Sequence, residues 1–129
     1  MNENFVKIIT PFLFFFVLFS SCTGSQNQSP KIKFNLSEFT DNGLRRLPKG
    51  ELTPINYEFC IPADEKILQD IRSIDTTACV YKGSRGRSGC TDKEWLVICS
   101  SYQPGFKKVI TKLVKLKYIR EINETFWEN

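Results

Sequence analysis

Cysteine is the residue type in this sequence with the widest range of possible chemistry. The chain has five cysteines, namely Cys22, Cys60, Cys79, Cys90 and Cys99. No two of them are separated by two residues, so the spacing matches neither the Cys-x-x-Cys motif of thiol oxidoreductases nor a zinc knuckle. In an exported chain an odd count leaves one thiol over, whereas the last four can close two disulfides. The spacing therefore favours structural disulfides over a redox or metal site.

The other chemistry-bearing residues form no recognisable catalytic set. The chain has no histidine, and histidine is the commonest general base and the commonest metal ligand. The carboxylates of the central region form no pair with a fixed separation: Asp64, Glu65, Asp75, Asp92 and Glu94. No motif for a bound cofactor is present. The sequence thus predicts no catalytic residue, no metal and no cofactor.

A loop rich in glycine, serine and arginine is the best candidate for a binding site. Residues 83–89 read GSRGRSG. Arg85 and Arg87, together with backbone amides, could bind a phosphate or a carboxylate. The loop lacks the lysine and the spacing of a nucleotide-binding P-loop. The alternative is a solvated hairpin tip that binds nothing.

The amino terminus has the three-part layout of a secretory signal. One basic residue, Lys7, precedes an apolar run from Ile8 to Phe19, and small residues follow. The run has 12 residues, whereas a helix needs about 20 to cross the hydrocarbon core of a bilayer. This length favours a signal peptide over residues 1–21 rather than a permanent transmembrane helix.

The end of this segment, Leu18-Phe19-Ser20-Ser21-Cys22, resembles the lipobox of bacterial lipoproteins. The resemblance covers residues 1–22 only. It implies that Cys22 receives a diacylglycerol, that the chain is cut before it, and that the new amino group is acylated with a fatty acid such as palmitate. No acidic residue occurs in 23–26, which by the same resemblance favours the periplasmic side of the outer membrane over surface display. The alternative is a soluble, secreted, disulfide-bonded protein.

The rest of the chain divides into three parts. Residues 22–31 are polar and read as a lipid-anchored tether. Residues 32–53 read as an irregular segment, although Ile32, Phe34 and Leu36 alternate with polar residues as in a short strand. Residues 54–129 show regular patterns that predict a compact α+β domain.

The patterns in this domain predict the order strand, helix, strand, strand, helix, strand. The strands are expected near residues 55–61, 78–82, 95–100 and 118–127, and the helices after Pro62 and after Gly105. This order is that of a ferredoxin-like sandwich, whose antiparallel sheet carries two helices on one face. The rival is an α+β layer in which residues 32–36 add a fifth strand.

Alternation along the strands suggests how the cysteines pair. If Leu96 and Ile98 face the helices, Cys99 shares the open face with Cys60. The favoured pairs are then Cys60–Cys99 and Cys79–Cys90. The set Cys60–Cys90 with Cys79–Cys99 stays open, because four cysteines allow three pairings.

These features favour a lipid-anchored envelope protein that binds a protein or a cell-wall component and is not an enzyme. The net charge of +4 suits anionic lipid or an acidic partner, but it is too small to indicate nucleic-acid binding. The alternative is an enzyme, or an enzyme accessory, that acts on anionic envelope substrates through Arg85, Arg87 and a carboxylate. That alternative requires these groups to meet in one concave pocket.

Overall fold

The computed structural model describes residues 27–126, which form a mixed α+β fold with two helices and two antiparallel sheets. This confirms the predicted α+β class. A 3-10 helix spans Leu36–Glu38, and the strands and helices that follow are β1 (Arg45–Arg46), β2 (Leu52–Thr53), β3 (Asn56–Pro62), α1 (Glu65–Ile74), β4 (Cys79–Tyr81), β5 (Glu94–Ser100), α2 (Phe106–Val114) and β6 (Asn123–Thr125). Within this part of the chain, neither helix is long and apolar enough to cross a membrane.

The main sheet has the strand order β4-β5-β3-β6, and all neighbouring strands are antiparallel. Strands β3 and β5 pair along their whole length, from Asn56 opposite Ser100 to Pro62 opposite Glu94. The edge strands β4 and β6 are short. Strands β1 and β2 form a separate hairpin.

Both helices begin at local signals and bury one stripe each. Asp64 caps α1, because its side chain accepts hydrogen bonds from the backbone N–H groups of Lys66 and Ile67 at 2.8 and 3.2 Å. Helix α1 buries Leu68 and Ile71. Helix α2 follows Gly105 and buries one residue per turn, namely Phe106, Ile110 and Leu113. These residues join one hydrophobic core with one face of the sheet.

The face assignment of β5 from the sequence is wrong. Val97 and Cys99 lie in the core with the helices, opposite Phe59 and Tyr57. Leu96 and Ile98 therefore lie on the other face. The residues of this strand are apolar in succession, and such a run does not reveal which face is which.

The segment before β3 is part of the core, since Ile32, Phe34 and Phe39 are all buried. The fifth strand of the rival prediction, over residues 32–36, is absent. Ile32 forms only an isolated parallel bridge with Ile122, and the chain then turns into the 3-10 helix. The cause is Asn35, whose side chain accepts a hydrogen bond from the N–H of Ser37 at 3.0 Å and so favours a local turn.

The last strand is shorter than the sequence suggests. Residues 117–118 form a turn, and regular pairing begins only at Asn123. Ile119 is fully buried outside any strand, so its apolar character reflects packing in the core. The remainder of the expected strand, including Trp127, lies outside the described residues.

Gly43 is the glycine whose replacement should cost most. Its φ is +78°, and a Cβ atom there would lie 1.6 Å from the carbonyl oxygen of Ser101. We expect Gly43→Ala to lower the free energy of unfolding by about 3 kcal/mol or more, through backbone strain and displacement of the Ser101 segment. Urea unfolding of both chains measures the difference.

The matched control is Gly50→Ala, because Gly50 also has a positive φ, of +86°, but no atom lies within 4 Å of an added Cβ. Its cost should be only about 1 kcal/mol, from the left-handed backbone alone. Equal costs at the two positions would contradict the close packing at Gly43.

Candidate functional site

The loop of residues 82–93, between β4 and β5, covers the face of the sheet opposite the helices. A disulfide between Cys60 and Cys90 fastens this loop to β3, with a Cα–Cα distance of 5.5 Å. The two cysteines form a small apolar cluster with Leu96 and Ile98. The 82–93 loop, which contains no helix or strand, thus packs on this face of the sheet through an apolar cluster of its own.

A buried carboxyl group fixes the same loop. The side chain of Glu58, on β3, accepts hydrogen bonds at 3.1 Å from the N–H and the hydroxyl of Ser88, and at 3.1 Å from the hydroxyl of Thr125. Glu58 is only 2% exposed, so these bonds replace the water that it loses. Gly86 passes so close that a Cβ atom would lie 2.2 Å from a Glu58 oxygen.

Sequence reasoning missed the role of Glu58. It alternates with Tyr57 and Phe59, and that position indicates a solvated residue on an open face. The loop covers that face and buries it. The sequence feature that points to this contact is Gly86, because a glycine has no Cβ atom and lets the backbone approach a side chain closely.

The two arginines of this loop lie in different surroundings. The Arg85 side chain is 78% exposed, and its guanidinium lies 3.9 Å from the carboxylate of Asp92, which is almost fully exposed. The guanidinium of Arg87 stacks over the ring of Phe126, 4.4 Å from its centre. The predicted pair of arginines therefore does not form one site: Arg87 lines a surface depression that Arg85 does not line.

Arg87 lines a surface depression of about 470 Å³, which we call the Arg87 depression; its other lining residues are Lys33, Asn123, Glu124 and Phe126. Glu124 is already engaged, because both of its oxygens accept hydrogen bonds from Arg45 at 2.8 Å. This bond raises the pKa of Arg45 above its usual value.

The Arg87 depression therefore has an excess of positive charge. Among residues 27–126, neither Lys33 nor Arg87 forms an ion pair. The guanidinium of Arg87 lies over the Phe126 ring and makes no hydrogen bond within the described residues, so its N–H groups can donate to an anion. The arrangement suits a carboxylate or a phosphate, held beside an aromatic ring.

A second polar cluster lies at the opposite side of the sheet, around Asp75 at the end of α1. Asp75 is fully buried and accepts hydrogen bonds from the Tyr57 hydroxyl, from the N–H and hydroxyl of Thr77, and from the Gln103 amide. The buried thiol of Cys99 lies near the same carboxyl group. The cluster joins the end of α1 to β3 and to the residues after β5.

The Asp75 cluster is poorly suited to nucleophilic chemistry. Burial, and then the neighbouring Asp75, raise the pKa of the Cys99 thiol well above its usual value. Burial, followed by the neighbouring Cys99 and Asp75, also raises the pKa of the Tyr57 hydroxyl well above its usual value. Both groups keep their protons at neutral pH, and a protonated thiol is a weak nucleophile. The cluster is a packing and hydrogen-bonding centre.

The cysteines pair differently from the favoured assignment. Cys60–Cys99 and Cys79–Cys90 are wrong, since the structure contains Cys60–Cys90, and Cys79 and Cys99 are free. The cause is the reversed orientation of β5, which places Cys99 among the helices. Cys79 lies opposite Ile98 and so on the other face. It therefore cannot bond to Cys99, and only one bond of the set left open is present.

The remaining predictions about sites concern lipid attachment and metal binding. Cys22, the expected point of lipid attachment, lies outside the described residues. Within residues 27–126, no group of three or more histidine, cysteine or acidic residues could hold a metal ion. Comparison with protein families, with curated proteins and with solved structures finds no match to this chain.

Alkaline pH should destabilise the fold through Cys99 and Tyr57. In the unfolded chain these groups lose their protons near pH 8.5 and pH 10, whereas burial raises both folded pKa values. Their stabilising contribution is therefore complete below about pH 8.5. It falls as the pH rises toward the folded values, by up to about 1.4 kcal/mol per pH unit for each group. Urea unfolding between about pH 7 and pH 10.5 measures this slope.

Single cysteine variants separate the two thiols. Cys99→Ala should remove the earlier part of the alkaline slope. Cys79→Ala is the matched control, because it removes a thiol that lies on the other face of the sheet, away from Asp75. A slope that persists in Cys99→Ala and disappears in Cys79→Ala would contradict the assignment.

Proposed function

We propose that this chain is a lipid-anchored cell-envelope lipoprotein whose α+β domain is a non-enzymatic binding module. Residues 1–22 support the export and the anchor, through a short apolar run that ends at Cys22. The Cys60–Cys90 disulfide supports an oxidising compartment, because such bonds persist mainly outside the cytosol. The absence of acidic residues in 23–26 favours the periplasmic side of the outer membrane.

The fold of the domain is proposed to be ferredoxin-like. In support, the elements from β3 to β6 follow the order strand, helix, strand, strand, helix, strand, and the sheet has the order β4-β5-β3-β6. Residues from both helices join one core with a single sheet face. Residues 27–53 and the 82–93 loop are additions to that arrangement. Because one fold serves many functions, this likeness carries no activity with it.

The observation that carries the binding proposal is the stacking of Arg87 on Phe126 beside Lys33. Here two cations and an aromatic ring surround a depression whose own carboxylate is paired with Arg45. The disulfide and Glu58 hold Arg87 in place, so little conformational entropy is lost when a ligand binds. The ligand is an anionic group of a cell-wall component or of a partner protein.

The position of the arginines favours this proposal over an enzyme. An enzyme acting on anionic substrates through these residues needs Arg85, Arg87 and an available carboxylate in one pocket. Arg85 lies away from the Arg87 depression, near Asp92. The carboxylate that does lie in the depression, Glu124, uses both oxygens to bind Arg45.

Intact mass of the membrane-extracted protein tests the anchor. We expect a chain that lacks residues 1–21 and carries a diacylglycerol and a fatty acyl group. Reduction followed by alkylation should modify two more thiols than alkylation alone, from Cys60 and Cys90. A chain that retains residues 1–21, or a Cys22 without lipid, would refute the lipoprotein proposal.

Substitution of Arg87 tests the binding site. Arg87→Gln should weaken the binding of phenyl phosphate, followed by amide NMR shifts, by roughly tenfold or about 1.4 kcal/mol, because a charged hydrogen-bond donor is lost. Phe126→Ala should also weaken it by removing the stacked ring.

Arg85→Gln is the matched control, because it removes the same charge from the same loop. Its effect should be small, since Arg85 lies outside the depression. If Arg85→Gln and Arg87→Gln weaken binding equally, the depression is not a site and only the overall charge attracts the anion.

A further inference from the structure

Helix α2 carries a row of three exposed lysines on the side away from the core. Lys108, Lys112 and Lys115 are spaced four and three residues apart, so they lie along one face, with Lys115 just past the end of the helix. The buried residues Phe106 and Ile110 lie on the opposite side. We call this set the lysine row.

The lysine row has no compensating charge of its own. Within residues 27–126 none of the three lysines forms an ion pair, and no acidic residue occurs in α2. Asp70, on the neighbouring helix α1, forms no ion pair with any of these lysines. Like charges three or four residues apart destabilise a helix, so an anionic surface against the row would relieve repulsion within it.

The start of the described chain lies beside the same helix. Asn27 and Gln28 line a groove of about 1120 Å³ together with Lys107 and Thr111 of α2. The Lys31 ammonium donates hydrogen bonds to the carbonyl of Val114 at 2.9 Å and to that of Leu116 at 3.2 Å. The segment that follows the proposed tether is thus fastened to α2.

A short chain separates this point from the proposed anchor. Cys22 precedes Asn27 by five residues, and five residues reach at most about 18 Å when fully extended. A lipid on Cys22 therefore keeps the bilayer within that distance of the groove beside α2. The proposed anchor therefore joins the domain on the α2 side.

We propose that the lysine row rests on anionic phospholipid head groups and orients the domain on the membrane. This inference rests on the proposed lipid anchor. The 82–93 loop covers the sheet face opposite the helices. With α2 against the bilayer, the loop that carries Arg87 lies on the far side of the sheet.

The test uses the lipidated chain, reconstituted in vesicles of phosphatidylcholine or of phosphatidylglycerol, and a water-soluble reagent that acylates amines. A lysine near an anionic surface favours contact by about 1 kcal/mol, or about fivefold, so three favour the docked orientation roughly a hundredfold. Labelling of Lys108, Lys112 and Lys115 should therefore fall at least fivefold on phosphatidylglycerol, while that of Lys49 and Lys93 stays the same. About 0.5 M salt should restore it.

Two charge variants serve as the matched pair. On phosphatidylglycerol, hydrogen exchange of α2 should slow in the natural chain and in a control with Arg46→Gln, Lys49→Gln and Lys93→Gln. It should not slow in a chain with Lys108→Gln, Lys112→Gln and Lys115→Gln. Equal slowing in all three chains would overturn the inference.

The outcomes separate this inference from the anchor on which it rests. A chain that floats with both kinds of vesicle but labels equally on both refutes the lysine row alone and leaves the anchor standing. A chain that floats with neither kind refutes the anchor, and the inference with it.

Discussion

Strand β5 is apolar on both faces at the centre of the sheet, and a strand of this kind must be covered from two sides. On one side the helices bury Phe59 and Val97. On the other side Leu96 and Ile98 form a small cluster with Cys60 and Cys90, and the 82–93 loop covers them. Such a loop has little apolar area with which to hold itself in place. The Cys60–Cys90 disulfide and the hydrogen bonds of Glu58 fix the loop to β3 instead.

Among residues 27–126 two carboxyl groups are buried, one on each face of the sheet, and they serve similar purposes. Glu58 binds the backbone and hydroxyl of Ser88 in the loop, and Asp75 binds Tyr57 and Thr77 at the end of α1. In both cases the donors are neutral. A buried carboxyl group of this kind requires its donors to be in place, so each one specifies a single position for the segment that it binds.

The helices could be predicted because α1 and α2 each place apolar residues at helical spacing around a local start signal. The orientation of β5 could not, since Leu96, Val97 and Ile98 are apolar in succession and only pairing with β3 decides their faces. The cysteine pairing depends on that orientation and was wrong for the same reason. The expected strand at residues 32–36 was lost to the local hydrogen bond at Asn35.

The candidate site could be predicted only in part, because its residues come from three distant segments. Arg87 was suggested by residue type within a glycine-rich loop. Lys33 and Phe126 gave no signal, since they meet Arg87 only through the pairing of β6 with β3 and the bridge from Ile32 to Ile122. Glu58 could not be foreseen, because nothing in the alternation of β3 shows that a loop covers that face.

The way in which the first described residues are fastened has a mechanical consequence. The backbone of residues 31–33 exchanges hydrogen bonds of 2.8 and 2.9 Å with Ile122, and Lys31 binds the end of α2. A force applied at residue 27 therefore acts first on the carboxy-terminal edge of the sheet and on α2. The Cys60–Cys90 bond and the Arg87 loop lie farther along the chain, behind these contacts. Tension along the amino-terminal segment would load the Ile122 and Lys31 hydrogen bonds before it loaded the Cys60–Cys90 bond.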